Sequence, residues 1–551
     1  MSTQRLRGDA RDHDVIVVGA GFGGLHALHH LRQAGYRVLA LEAGDGVGGT
    51  WYWNRYPGAR CDVVSIDYAY TFSEELYREW SWSERYAQQP EIERYLNWVA
   101  DRLDLRRDIR LGARVVRAVY DEDDPGWTVE TEGGERFSAP FLVAATGCLS
   151  VPNIPDFDGL DRFEGEVVHT GMWPAEGVDL AGKRVAVIGT GSSGVQAIPV
   201  IAETAAEVTV FQRTANFSLP AGQRENDPEV VCRRKESLRR WRERAWNNWS
   251  GFDFDPGALA IEFARDGDLG PVYEELDRRW SRGGFPEIVF AFEGVFSDLE
   301  RNAFLSEYFR RKVREVVEDP EVAELLCAKD HPIGTKRVCA DSFYFETYNK
   351  PHVSLVDVRA TPIEAFDETG LVLADGRRFE VDVVVLATGF DAMTGALKRM
   401  GVRGRDGVTI DEAWADGPHT YLGLQVVGFP NLFMITGPQS PSVLVNMILA
   451  IEQHIRWITD CLDHMREHGL RSIEPTPAAQ AAWDEEVRRV ADGTLFPGTD
   501  SWYVGANIPG KPRVFMVYVG GFDTYRERCE AVAAAGYEGF VFDAVPARVS
   551  A

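Results

Sequence analysis

At 551 residues and 45% hydrophobic composition, the chain is long enough for two or three domains with a sizeable buried interior. Its formal charge of -26 opposes the phosphate backbone of nucleic acids and the anionic face of membranes, so neither is expected as a partner. Seven scattered cysteines, odd in number and without CxxC spacing, speak against a disulfide framework, a zinc site or a dithiol redox pair, and no metal is expected.

The opening MSTQRLRGDARDHD has no apolar segment of signal-peptide type, and the apolar runs further on are far shorter than a membrane span. A cytoplasmic protein with no membrane span is expected, as a monomer or small homo-oligomer. Residues 14–18, DVIVV, form a short β-branched strand that enters GAGFGG, and Leu25, Leu28 and Leu31 follow at helical spacing before a glycine stop. A second strand, YRVLALE, ends at Glu42, eighteen residues beyond Gly24, where a dinucleotide fold needs a carboxylate for ribose hydroxyls. In this reading Gly19 allows the turn, Gly21 lets the backbone approach a pyrophosphate, and Gly24 permits close helix packing.

The pattern recurs in KRVAVIGTGSSGVQAIPVIA, with Gly189, Gly191 and Gly194 in the turn, followed by the strand EVTVFQR. This copy ends in Arg213 and Thr214 where the first ends in Glu42. A guanidinium suits a 2′-phosphate and a carboxylate repels it, so the first site reads as FAD and the second as NADPH; the alternative for Arg213 is a solvated surface arginine. Two further apolar strands, FLVAATG (141–147) and VDVVVLATGF (381–390), close on Ala-Thr-Gly, where the chain returns to one nucleotide domain or crosses to the other. Between 221 and 330 charged stretches at helical spacing replace strand alternation, and the basic run CRRKESLRRWRERAWNNW reads as a solvated helix face.

The expected fold class is therefore α/β, with two Rossmann-like dinucleotide-binding domains, for FAD and NADP, and a helical insertion. The expected order is FAD-binding (1–147), NADP-binding (148–220), helical insertion (221–330), NADP-binding again (331–386) and FAD-binding again (387–551).

Just ahead of the second glycine loop, FEGEVVHTGMWP places Phe163, Gly165, His169, Trp173 and Pro174 in the pattern FxGxxxHxxxW followed by Pro or Asp. That pattern resembles the fingerprint of type I Baeyer-Villiger monooxygenases. The resemblance covers nearly the whole chain, through GVGGTWYWNRYPGARCD (46–62), IGTKR (333–337), ATGFDAMTGAL (387–397), GFPNLFMITGPQSPSVLVNM (428–447) and SWYVGANIPGKPRVF (501–515). Within the family, DAMTGAL and GPQSPSVLVNM are more similar to the phenylacetone and steroid monooxygenase branch than to the cyclohexanone branch.

The resemblance implies an NADPH- and dioxygen-dependent oxidation of a hydrophobic ketone, aryl, cyclic or steroidal, to an ester or lactone by way of a flavin C4a-peroxyanion. Arg337 is the cation implied beside that anion, because an arginine cannot quench it by giving up its proton outright. Asp62 is implied as the carboxylate that orients Arg337. For FAD the resemblance implies Gly19, Gly21, Gly24, Glu42, Thr50, Trp51, Asp62, Tyr68, Val115 and Met447. For NADPH it implies Gly189, Thr190, Gly191, Ser192, Ser193, Gly194, Gln196 and Arg337, with Arg213, Thr214 and Lys336 at the 2′-phosphate and Trp502 on a mobile loop at the nicotinamide side. Ser442, Val443 and Leu444 are implied as substrate contacts.

The fingerprint residues are expected to organise the connection into the NADPH domain, with His169 in a hydrogen-bond network and not acting as general base. Two rivals share the glycine loops: a flavin monooxygenase acting on sulfur or nitrogen, which has no need of the GTKR arginine, and a non-catalytic flavoprotein that senses NADP redox state. A disulfide reductase would need a cysteine pair beside the flavin, and the next cysteine after Cys61 is Cys148.

Overall fold

The computed structural model describes residues 11–263 and 267–544, so most of the charged opening stretch, residues 1–10, lies outside the described residues. Val15–Val18 forms the middle strand of a five-stranded parallel sheet, in the order Leu432–Met434, Phe141–Ala144, Val15–Val18, Val38–Leu41, Ile109–Arg110. Its four β-branched side chains are 0–7% exposed, as befits a strand covered on both faces. The helix Phe22–Gln33 starts directly after Gly21 and buries Leu25, Leu28 and Leu31. A second five-stranded parallel sheet runs Val353–Asp357, Glu207–Gln212, Arg184–Ile188, Val383–Leu386, Glu166–His169, with the helix Ser192–Ile201 after its own glycine turn.

All strands of the second sheet fall in sequence between Phe141–Ala144 and Leu432–Met434 of the first, so the chain crosses between two lobes and back again. Each Ala-Thr-Gly ends a central strand and abuts the glycine turn of its own sheet. A Cβ on Gly19 would lie 2.5 Å from the Ala145 carbonyl oxygen, and one on Gly189 2.5 Å from that of Ala387. Beyond these points the two crossings run antiparallel and bond to each other. The Asn153 N–H donates to Gly389 O (2.9 Å), Asp391 N–H to Val151 O (2.8 Å) and Met393 N–H to Cys148 O (2.8 Å).

From Pro228 to Leu326 the described chain is mostly helical, and its basic run is solvated only in part: Arg233, Arg239, Arg240 and Arg244 are exposed, while others engage the first lobe. Arg234 pairs with Asp67 and stacks over Trp241 at 4.6 Å, while Arg239 pairs with Glu74. Lys235 Nζ donates to Arg78 O (2.9 Å) and Ser81 Oγ (2.8 Å). Arg242 donates to Thr71 Oγ1 (2.9 Å) and to Glu452 Oε2 (3.1 Å). The Glu452 carboxylate is 2% exposed and also accepts from Thr71 N–H (2.6 Å) and Phe72 N–H (3.0 Å). The charges fasten the helices to the first lobe, because a buried carboxylate is tolerated only when it is paired and hydrogen-bonded. No helix among the described residues is long and apolar enough to cross a membrane.

A short parallel pair, Ser218–Pro220 with Cys339–Asp341, joins the helical segment back to the second lobe. Asp341 Oδ1 accepts from Tyr344 N–H (2.6 Å), and burial lifts its carboxyl from 3.8 to about 7 against that hydrogen bond. A raised folded-state value means that stability from the neutral form is complete below 3.8 and is lost as pH rises through about 7. Asp341→Asn, which keeps the acceptor and removes the charge, is expected to raise the thermal midpoint at pH 8 and to flatten its fall between pH 4 and 7. Calorimetric scans of both proteins across that range check it, and an unchanged midpoint at pH 8 contradicts it.

Candidate active site

The carboxyl ends of both parallel sheets face one cavity of about 1730 Å³. Single-ligand pockets commonly measure ~300–1,000 Å³, so this volume suits two nucleotide cofactors with a substrate between them. From the first lobe, Gly19, Gly21, Glu42, Thr50, Trp51, Asp62, Tyr68, Val115 and Met447 line it. Gly24 does not: a Cβ there would lie 1.8 Å from Gly19 O, so its place is in helix packing. Gly21 lies against Gly49, whose Cα would stand 3.1 Å from an added Cβ, so it admits a second glycine segment as well as facing the cavity. Glu42 accepts from Ala20 N–H (2.6 Å) and Gly44 N–H (2.8 Å). Burial pushes its carboxyl up, against those two donors. A carboxylate offers about four acceptor positions, so two remain for ribose hydroxyls.

Neither helix that follows a glycine turn has a side-chain cap at its N-terminus. The open N–H groups and the helix dipole suit an anionic diphosphate at each, and the donor set therefore fits FAD and NADP.

From the second lobe, Gly189, Thr190, Gly191, Ser192, Ser193, Gln196, Arg213, Thr214, Lys336 and Arg337 line the cavity. Gly194 is again a packing residue, with Gly189 O 2.3 Å from its would-be Cβ. Gln196 faces the cavity but spends its amide on the other lobe, accepting from Tyr56 OH (2.8 Å) and donating to Arg60 O (3.1 Å). Lys336 is half-buried, and burial lowers its proton affinity despite Asp330. Arg359, which the sequence reading missed, lies just past the strand that pairs with the one ending before Arg213. Its Nη2 donates to Thr214 Oγ1 (3.1 Å) and Asp330 Oδ2 (2.6 Å). Reading VSLVDVR as the neighbouring strand end was the signal available for it. His331 at 2.7 Å and then Arg359 hold the Asp330 carboxyl well below the usual range.

Arg337 is where the segments converge. Its Nε and Nη2 both meet Asp62 Oδ2, at 2.8 and 2.7 Å, and its Nη1 donates to Val443 O at 3.0 Å. The Phe285 ring lies 5.7 Å from the guanidinium carbon. Burial works against its charge, but Asp62 and then Tyr503 outweigh it and hold the guanidinium firmly protonated. Of the substrate candidates, Val443 lines the cavity. Ser442 is fully buried beside Met393, and Leu444, half-buried, packs in the same apolar cluster as Val443 and Trp502. Trp502 does line the cavity, half-buried, with its ring tilted against that of Tyr503 at 4.2 Å between centroids.

The FxGxxxHxxxW segment forms the edge strand Glu166–His169 of the second sheet and then turns across to the first lobe. Phe163 packs with Phe366, and Gly165 is needed because a Cβ would lie 2.5 Å from Asp382 O. His169 Nδ1 accepts from Gly171 N–H (2.9 Å), which leaves the ring proton on Nε2, and burial lowers its value to about 4. It is neutral at neutral pH. Trp173 is buried in a cluster that includes Tyr56 and Ala59 of the first lobe, and Pro174 opens the turn that ends at Gly177.

Residues 16–239 match a family described as pyridine nucleotide-disulphide oxidoreductase. The chain is 42% identical, over the full length of both, to a Baeyer-Villiger monooxygenase of Pseudooceanicola batsensis. It is 43% identical to a methyl acetate-forming acetone monooxygenase of a Gordonia species, over 96% of this chain and 98% of that one. Its structure superposes on that of an oxidized steroid monooxygenase bound to NADP with a TM-score of 0.90 and 50% identity, covering 97% of this chain and 100% of that one.

The two glycines of the second turn separate packing from ligand contact, since nothing lies within 4 Å of a Cβ on Gly191. Gly191→Ala is expected to change stability by less than ~0.5 kcal/mol while weakening NADP⁺ about tenfold. Gly194→Ala is expected to lower the thermal midpoint before any ligand is added. Titration calorimetry and thermal scans of the FAD-loaded variants check both, and tight NADP⁺ binding by Gly191→Ala contradicts the first.

Proposed function

This chain belongs to the Baeyer-Villiger monooxygenase family, and from that premise we propose that it inserts one oxygen atom into a bulky hydrophobic ketone, using NADPH and dioxygen, with Arg337 and Asp62 as its catalytic pair. The observation that carries the reading is the Asp62–Arg337 ion pair on the wall of the cavity that both nucleotide turns share. FAD and NADPH, when bound, supply the reducing equivalents and the activation of dioxygen.

The protein's own contribution is charge placement. Arg337 presents a fixed cation to oxygen that carries negative charge, and preorganised charge of this kind in a water-poor site is worth several kcal/mol. It cannot serve as an acid, so it steadies an oxygen anion without protonating it. Asp62 fixes the plane of the guanidinium through two contacts, and the Val443 carbonyl takes a third, which leaves part of the fork to face the cavity. Phe285 and Tyr503 shield the cation from bulk water.

Arg213, Thr214 and Lys336 select the 2′-phosphate of NADPH, and Arg359, already bonded to Thr214, adds a further positive charge to that corner. The same reading assigns FAD to residues 1–147 and 387–551, NADP to 148–220 and 331–386, and the helical insertion to 221–330. Seven cysteines, none in a disulfide, support a reducing, cytoplasmic setting, and the same reading keeps the chain a monomer or small homo-oligomer. Val443 on the wall and the likeness to a steroid monooxygenase support a large apolar ketone, whereas the acetone-oxidising relative marks the small end of the range.

The test is a product analysis. FAD-loaded protein with NADPH and oxygen is offered acetone, an aryl ketone, a cyclic ketone, a keto-steroid and a thioether, and products are weighed by mass spectrometry. Esters or lactones one oxygen heavier than the larger ketones are expected; oxidation of the thioether alone would turn the reading towards a sulfur or nitrogen oxygenase. Arg337→Ala is expected to keep flavin reduction by NADPH near the wild-type rate while ester formation falls by about 10²–10³-fold, the usual cost of removing one preorganised charge donor. A normal ester yield from that variant refutes the role.

A further inference from the structure

The segment from Asp500 to Phe515 carries Trp502 onto the cavity wall, and beyond the single turn Trp502–Val504 it has no regular structure to hold its shape. Side chains that reach the two crossings between the lobes hold it there. Asn507 Nδ2 donates to Phe390 O (2.7 Å), and Asn153 Nδ2 donates to Asn507 O (3.4 Å). Lys511 Nζ donates to Asp391 Oδ1 and to Ala392 O, each at 2.6 Å. The Lys511 side chain is only 9% exposed and that of Asp391 26%. An ammonium so enclosed is stable only while its carboxylate stays in place. Burial lowers its proton affinity, and Asp391 opposes that loss.

The crossings that receive these bonds are one unit. Residues 148–153 and 389–393 run antiparallel and bond backbone to backbone, so any turning of one lobe against the other must distort this strip. The segment bearing Trp502 is thus fastened to the strip that joins the two lobes.

We propose that Lys511 is a positioning residue for the reaction: paired with Asp391, it fastens the Trp502 segment to the two crossings and so holds Trp502 in place on the wall of the cavity that takes NADP. This depends on the cofactor and is independent of which ketone is oxidised. A mobile, compact cation on a flexible stem suits the role better than a guanidinium, since it leaves and re-enters the pocket without matching a planar partner.

Lys511→Met and Asp391→Asn, singly and together, test it in the FAD-loaded protein. Calorimetric titration with NADP⁺, without any ketone, is expected to show about tenfold weaker binding in each single variant, and no further loss in the double variant because the two residues act as a pair. Chymotryptic cleavage between residues 500 and 515 under saturating NADP⁺ should quicken by a similar factor, and KM should rise for NADPH and not for the ketone. Wild-type affinity in both single variants, weaker binding with unchanged cleavage, additive losses, or a wild-type segment that NADP⁺ does not protect would each overturn the proposal. Should Lys511→Met fail to fold, Asn507→Ala removes the neighbouring fastener without touching a charge and is expected to quicken the same cleavage severalfold; an unchanged rate there also overturns it.

Discussion

The ion pair between Asp62 and Arg337 is the constraint that the rest of the site depends on. Its two members are 275 residues apart, and the third contact, the Val443 carbonyl, is 106 residues further on. Asp62 comes from the first lobe, Arg337 from the return of the chain after the helices, and Val443 from the last passage through the first lobe. A paired charge that is about a quarter exposed gains little net stability, because desolvation offsets most of the Coulomb attraction. Its value is positional: only when all three segments are in place does a guanidinium face the cavity in one orientation.

The two lobes reach that geometry by the same local means. Each has a glycine turn pressed against an Ala-Thr-Gly carbonyl, each opens an uncapped helix N-terminus towards the cavity, and each delivers the chain to the other lobe immediately afterwards. Ligands in open parallel sheets bind beyond the carboxyl ends of the strands, and here two such ends are turned towards one another. Gln196 clamps Tyr56 and Arg60 across the junction, and Trp173 plugs the same junction from the FxGxxxHxxxW segment. His169 belongs to this joinery. It is neutral, and its Nδ1 lone pair is already used by a backbone N–H.

The helical segment shows how strongly context decides what a charge run does. Arg234, Lys235, Arg239 and Arg242 are bound by acceptors that lie 154 to 210 residues away in sequence, while Arg233 and Arg244 pair locally with Glu229 and Asp253. The consequence for the site is indirect. These clamps hold the helices Pro228–Glu236 and Leu238–Trp246 against the first lobe; Phe285, which faces the guanidinium, and the return to Lys336 and Arg337 come later in the same segment.

The sequence by itself determined the two nucleotide turns, the helices after them, the family and the identities of Asp62 and Arg337. The turns and helices are written in short-range spacing, since a β-branched strand, a glycine turn and a helical apolar stripe occupy some twenty consecutive residues, whereas Asp62 and Arg337 are reached through the family resemblance. Only the tertiary structure decided which residues meet. It put Arg359 beside Thr214, set Val443 on the cavity wall with its carbonyl on Arg337, and gave Lys511 its carboxylate 120 residues upstream. The physical reason is that hydrogen bonds and ion pairs act over a few ångströms of space, and sequence spacing carries that information only within a single helix, strand or turn.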